Sequence, residues 1–239
     1  MSLSAEPAKS SSSGGAADWA FEQLRSRIVA GDLKPGEKLI EATLAESIQV
    51  SRTPLREAIN RLEMMGLLVR QRNRSVQVAP LSAEEMIRLS MLREALEGLL
   101  VRHVATRKAA GEISIAPLEV LIDQMSAVDP TVGSTLLLRL GERFHVELSR
   151  LSGDPLGARF LQTVVTNMER YRYLVEYSGE RIGAVIREHK AVMDAIRSGD
   201  ADRAEQEIRS HIEAARRFYM RRLDEADVGS ANRSPKGAR

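Results

Sequence analysis

The sequence predicts a mainly α protein in two parts: three helices with a basic hairpin, followed by an all-helical bundle of about six helices. Three observations carry this expectation. Apolar residues recur at helical spacing through most of the chain, and strand-like alternation is confined to a stretch near residues 67–78. Clusters of Gly, Pro, Ser and Asp punctuate the helical stretches. The apolar content, 43 % of 239 residues, comes from Leu, Ala, Ile, Val and Met with only 4 % aromatic residues, a mixture that leans helical.

Residues 1–16 are rich in Ser, Gly and Ala and read as a disordered tail, as do the polar residues 224–239. Between them, residues 17–80 form the first part and residues 81–223 the second. In the first, Phe21, Leu24 and Ile28 lie on one helical face, and the G-D-L-K-P-G loop at 31–36 ends that helix. Residues 38–40 suit a short extended piece. A second helix spans about 41–48 with Leu44, Ala45 and Ile48 inward, and Gln49 and Val50 make the turn. Ser51 is a suitable N-cap for a third helix, and Pro54 fits its first turn, where a missing N–H costs little. That helix ends near Met65, before Gly66. The run L-L-V-R-Q-R-N-R-S-V-Q-V then reads as two short strands with a polar tip at about 71–75.

In the second part, Ser82 and Glu85 form a capping box ahead of the stripe Met86, Leu89, Leu96 and Leu100. Breaks at Gly111, Asp129-Pro130, residues 152–155, Gly179 and Gly199-Asp200 divide the rest into about six helices. Trp19 and the methionines, Met64 and Met91 among them, read as packing.

The bulk numbers exclude several classes. With no Cys, neither disulfides nor thiolate metal sites are available. No apolar run approaches the roughly 20 residues of a membrane span, and residues 1–15 lack a hydrophobic signal core, so a cytoplasmic protein is expected. The net charge is only +2, but residues 51–80 hold six Arg against two Glu. Nucleic-acid binding, if present, must come from that local cluster.

Three helices and a hairpin in this order describe a winged helix-turn-helix. Its third helix places Arg52 and Arg56 one turn apart, opposite the apolar face Leu55, Ala58, Ile59 and Leu62. Ser51 and Thr53 can bond phosphates at the helix start, where the dipole favours anions. Arg52 and Arg56 can reach guanine edges or clamp phosphates. Arg72 and Arg74, at the hairpin tip, can enter the adjacent minor groove. The competing reading is a surface helix with solvated arginines and an ordinary Glu57–Arg61 pair.

In the second part, His145, His189 and His211 each fall within an apolar stripe of a different predicted helix. Three inward imidazoles can hold a transition metal and leave positions open for water or an effector carboxylate. The alternative is buried histidines satisfied by backbone or carboxylates. Arg93 also faces the helical core, as an anchor for a small acid or as the partner of Glu97 one turn on. Arg139, Arg170 and Arg172 are lesser candidates, expected to be solvated.

Residues 18–80 resemble the GntR family of bacterial transcription regulators. The matching runs are L-K-P-G-E-K-L-I-E at 33–41, L-A-E-S-I-Q-V-S-R-T-P-L-R-E-A at 44–58 and R-L-E-M-M-G-L-L at 61–68. The resemblance implies operator contacts for Arg52, Thr53 and Arg56, and a wing position for Arg72. The family often has Gly near the wing tip, where this chain has Ser75. The second part resembles the FCD effector domain of the FadR subfamily. The matching runs are L-R-E-A-L-E-G at 92–98, R-F-H-V-E-L-S-R-L-S-G-D-P-L at 143–156 and E-H-K-A-V-M-D-A-I-R-S-G-D-A-D-R-A at 188–204, together with His211. This implies effector binding at Arg93, His145, His189 and His211. The three His would also be ligands to a divalent metal such as Zn or Ni. In metal-binding members an Asp stands one turn before the first His. Here that position is Gly141, which implies weaker metal binding or direct binding of the effector.

The combined expectation is a homodimeric regulator, most simply a repressor. It would bind a pseudo-palindromic double-stranded operator, respond to a small organic acid and have no membrane partner. One rival is a sequence-blind architectural DNA binder, which predicts steep salt dependence and little operator preference. Another is a metal-dependent enzyme using the three His. The chain lacks H-E-x-x-H, a P-loop, a G-x-G-x-x-G and a nucleophile elbow.

Overall fold

The computed structural model describes residues 13–71, 75–129, 131, 134–174 and 176–231, leaving aside the side chains of 13, 14, 173 and 226–231. The chain divides into two compact units, Met1–Leu81 and Ser82–Arg239.

The first unit contains α1 (Ser13–Ala30), β1 (Lys38–Leu39), α2 (Glu41–Ser47), α3 (Arg52–Met64), β2 (Leu68–Arg70) and β3 (Val76–Val78). Its sheet has the order β1-β3-β2, antiparallel throughout, with Lys38 opposite Gln77 and Leu68 opposite Val78. The hairpin therefore gains a third strand from the extended piece at residue 38. The core lies between α1, α3 and the sheet, where Leu24, Leu55, Ile59, Leu62, Leu67 and Val78 are buried. Gln49 closes the turn between α2 and α3 at φ 55°, the one non-glycine residue with positive φ among those described.

The second unit contains α4 (Ala83–Ala109), α5 (Ala116–Ser126), α6 (Ser134–Leu151), α7 (Pro155–Met168), a 3-10 turn (Glu169–Leu174), α8 (Gly179–Ser198) and α9 (Ala201–Ala231). The sequence breaks coincide with real stops. Ser82 accepts from the Glu85 N–H to cap α4. Asp154 accepts from the Leu156 and Gly157 N–H groups to cap α7, with Pro155 at its first position. Gly199 ends α8 in the left-handed conformation. One apolar core runs through the bundle, including Val101, Leu118, Phe144, Leu148, Val192 and Ile208.

Several expectations need correction. The stretch expected as an N-terminal tail, 1–16, is helical from Ser13, and α9 continues to Ala231, beyond residue 223. Trp19, Met64 and Met91 are not packing residues: they are 53 %, 80 % and 58 % exposed. Arg61 pairs with Asp18 at 2.6 Å and lies over the Phe21 ring, instead of pairing with Glu57. Among the described residues no helix is long and apolar enough to cross a membrane.

Candidate functional site

In the first unit, Leu55, Ala58, Ile59 and Leu62 bury one face of α3, so its other face is turned to solvent. Ser51, Arg52, Thr53 and Arg56 are all exposed there. Ser51 occupies the N-cap position in extended conformation, but its side chain makes no capping bond. The expected hydroxyl cap is therefore corrected, and the first-turn N–H groups lack a side-chain acceptor from their own cap. Arg52 has no ion pair among the described residues. Arg56 donates from Nε to Glu41 Oε2 at 3.0 Å. Asn60 and Arg70, which the sequence reading passed over, share a surface hollow with Glu41 and Arg56. Arg72 and Arg74 lie outside the described residues.

In the second unit, three helices bring His145 (α6), His189 (α8) and His211 (α9) together, all buried. One nitrogen of each lies within 4.8 Å of those of the other two. Every Nδ1 has an acceptor. His189 Nδ1 donates to the Val185 carbonyl at 2.8 Å, one turn back along α8. His145 Nδ1 meets Glu97 Oε2 at 2.5 Å, and His211 Nδ1 meets Glu188 Oε2 at 2.8 Å. Donation from Nδ1 leaves Nε2 as the nitrogen with an available lone pair. The Nε2 of His189 is buried with no hydrogen-bond partner.

Behind two of these rings stand matching chains of charge. Glu97, fully buried, accepts from Arg93 Nε at 2.6 Å as well as from His145. Glu188 accepts from Arg181 at 2.6 Å as well as from His211. Burial alone would raise the Glu97 carboxyl, but the Arg93 guanidinium and the His145 ring together hold it well below the usual carboxylate range. Burial pushes the His145 ring down to about 4, overriding the raising pull of Glu97. Burial, then the neighbouring His211 and His145, lowers His189 well below its ordinary value. At neutral pH the charge sits on Arg93 and Glu97, and the His145 and His189 rings are neutral donors of lone pairs.

His145, His189 and His211 stand at one wall of a cavity of about 570 Å³. Arg93, Arg172, Arg181, Tyr177 and Tyr219 also line it. Arg93 thus fulfils both readings of the sequence: it is paired with Glu97, and it faces the cavity. No other hydrogen bond to its guanidinium is found among the described residues. Gly141 stands at the same wall, where an added Cβ would lie 3.6 Å from His189 Nε2. Glu142 does not replace a carboxylate there, because it accepts from Arg172 at 2.9 Å. The minor arginine candidates separate: Arg139 is exposed, Arg172 lines the cavity, and Arg170 is buried outside it, paired with Glu85. The expectation that all three are solvated is corrected for Arg170 and Arg172.

The donor set fits a metal ion. Three imidazoles, two of them held neutral by burial, have their Nδ1 protons fixed by acceptors, which sets the tautomer that ligation requires. The orphaned Nε2 of His189 is a buried polar atom that a cation or a ligand proton would satisfy. Glu188 and Arg181 were not singled out from sequence. Glu97 was read from sequence as the i+4 partner of Arg93, but not as the partner of His145. Glu188 gives no such signal, since it adjoins His189 in sequence yet serves His211.

Comparison with known proteins agrees with both units. Residues 16–78 match the gntR family of bacterial regulatory proteins, and residues 88–214 match the FCD domain. The HTH-type transcriptional regulator BphR of Paraburkholderia xenovorans is 30 % identical over 199 residues, covering 82 % of this chain and 81 % of the relative. The HTH-type transcriptional repressor RspR of Escherichia coli is 24 % identical over 193 residues, covering 81 % of this chain and 84 % of the relative. Among solved structures, E. coli McbR/YncC has the same fold, with a TM-score of 0.73 at 16 % identity, covering 87 % of this chain and 98 % of that one. BphR and RspR are both named as HTH-type transcription regulators. The chain belongs to the GntR family of bacterial transcription regulators, in the branch that carries an FCD domain, and is a DNA-binding transcriptional regulator.

Proposed function

We propose that this regulator is a cytoplasmic repressor whose operator affinity is set by a small organic acid bound among the helices of the second unit. The observation that carries the reading is the wall where His145, His189, His211 and Arg93 meet a cavity of drug-like size. A three-imidazole set beside a guanidinium favours an anionic ligand. Arg93, fixed at Nε by Glu97, keeps its remaining N–H groups for a carboxylate. His145, His189 and His211 would hold a divalent ion such as Zn or Ni, which when bound supplies a cationic point for the same carboxylate. Without an ion, the His189 ring itself can accept a proton-bearing group of the effector.

Operator reading falls to Ser51, Arg52, Thr53 and Arg56, with Arg72 and Arg74 on the wing. The exposure of Ser51, Arg52, Thr53 and Arg56 opposite the buried face of α3 supports this. A second copy is needed because one recognition helix spans few base pairs, and pairing yields a pseudo-palindromic operator. Met91, Leu92 and Leu99 on α4 are 58 %, 54 % and 44 % exposed and share one helical side, so they offer an apolar strip that a partner copy would cover.

The test is a double substitution, Arg52→Ala with Arg56→Ala, assayed on a duplex selected from a randomised pool by the wild-type chain. Each lost bidentate contact should weaken binding by about 1–3 kcal/mol. Undiminished binding would remove the reading. Elemental analysis of the purified chain tests the metal: about one ion per chain is expected, and its absence would leave the acid bound directly.

A further inference from the structure

The first residue of α2, Glu41, stands against the recognition helix. Its Oε2 accepts from Arg56 Nε at 3.0 Å, across a sequence separation of 15 residues. The Arg56 side chain is 65 % exposed and that of Glu41 27 %, so the pair lies at the surface. Exposed pairs of this kind contribute little to folding. Arg70, at the end of β2, forms the other side of the same hollow. It donates to Glu63 at 2.8 Å and to Asn60 at 3.4 Å. Glu63 chiefly sustains the Arg70 charge, and the Glu41 carboxylate adds to it.

A carboxylate next to the helix that faces DNA repels phosphate, so its presence lowers affinity for any duplex. That cost makes sense where the carboxylate orders the arginine. The bond to Nε constrains the direction of the guanidinium and leaves its terminal nitrogens without a hydrogen bond among the described residues. Two parallel N–H groups are what guanine O6 and N7 accept. Arg52, with no ion pair among the described residues, keeps its rotamer freedom and suits a phosphate. The two arginines therefore differ in kind, although their spacing makes them look alike in sequence.

We infer that Glu41 is a positioning residue for operator discrimination: it holds Arg56 in the geometry that reads a guanine, exchanging general DNA affinity for specificity. The inference rests on the reading that Arg56 contacts DNA. A specificity readout separates it from a purely structural role, because loss of fold weakens all DNA binding together.

The experiment uses the full chain and two duplexes at one fixed salt concentration: one selected from a randomised pool by the wild type, and a scrambled duplex of the same composition. Wild type, Glu41→Gln and Arg56→Ala are titrated on both. For Glu41→Gln, the ratio of selected to scrambled affinity should fall about tenfold, while affinity for the scrambled duplex is unchanged or higher and the melting temperature holds. If Glu41→Gln leaves the ratio intact while Arg56→Ala lowers it, the positioning role is overturned and the DNA contact stands. If Arg56→Ala also leaves the ratio intact, the reading beneath the inference fails with it. If Glu41→Gln weakens both duplexes in parallel with a lower melting temperature, Glu41 is structural and the inference is overturned.

Discussion

At the scale of single residues, the helical unit depends on Glu97. It is fully buried, yet it carries charge, because Arg93 and His145 both point at it. Removing one member of such a set leaves the others exposed to the full cost of burial. It also frees the His145 ring to turn and lose its tautomer. Glu97→Gln should therefore lower affinity for Zn²⁺ by roughly 10–100-fold, the usual effect of losing a carboxylate behind a ligating His. Competition against a chromophoric chelator measures this, and an unchanged affinity would show that the three His do not act as ligands. The inward histidines were legible in the sequence because each interrupts an apolar stripe. Their pairing with carboxylates was not, although Glu97 was readable as the partner of Arg93. Which Glu meets which His depends on how α4, α6, α8 and α9 pack, and periodicity within one helix carries no information about that. The same reason hid the burial of Arg170 and the commitment of Arg61 to Asp18.

At the scale of elements, turns and caps decide where the helices stop, and these were readable because Gly, Pro, Ser and Asp have specific backbone uses. Two turns yield predictions. Gln49 sits at φ 55° between α2 and α3, a conformation that costs an L-residue roughly 1–2 kcal/mol. Gln49→Gly relieves that cost and adds back about 0.5–1 kcal/mol of chain entropy. The first unit should therefore become more stable by up to about 1 kcal/mol, as read by chemical denaturation, whereas a loss of stability would mean that the Gln49 side chain does something unseen. Gly199 is the opposite case. Its φ is 73°, and an added Cβ would lie 2.8 Å from the Ala109 Cβ. Gly199→Ala combines left-handed strain with overpacking and should destabilise the helical unit by about 2–4 kcal/mol. A melting temperature equal to that of the wild type would contradict the close approach of α4 and α8 at this point. Boundaries were less legible than cores. The helix from Ser13 passes into a stretch that composition marks as tail, and Trp19 faces solvent although aromatic residues usually signal packing. Composition reports whether a segment can build a core, and a short end of small residues can extend a helix without adding to one.

At the scale of the whole molecule, the helix-turn-helix and the cavity belong to different units of one chain. Each unit's role follows from its own residues, but regulation requires that they be coupled. An acid that enters the cavity can change operator affinity only if it binds the DNA-competent and DNA-incompetent states with different strength. Coupling of this kind is typically about 1–3 kcal/mol, or about 5–150-fold in affinity. Ligands of the helical unit can be found without knowing the operator, since any acid that binds the folded chain raises its melting temperature with concentration. The decisive measurement pairs the two: titration of the selected duplex with the full chain, with and without each sugar acid, hydroxy acid or dicarboxylate that raises the melting temperature. The account predicts that at least one such acid shifts duplex affinity at least about fivefold, and that Arg93→Ala removes both the stabilisation and the shift. Acids that stabilise the chain through Arg93 yet leave duplex affinity unchanged would contradict it.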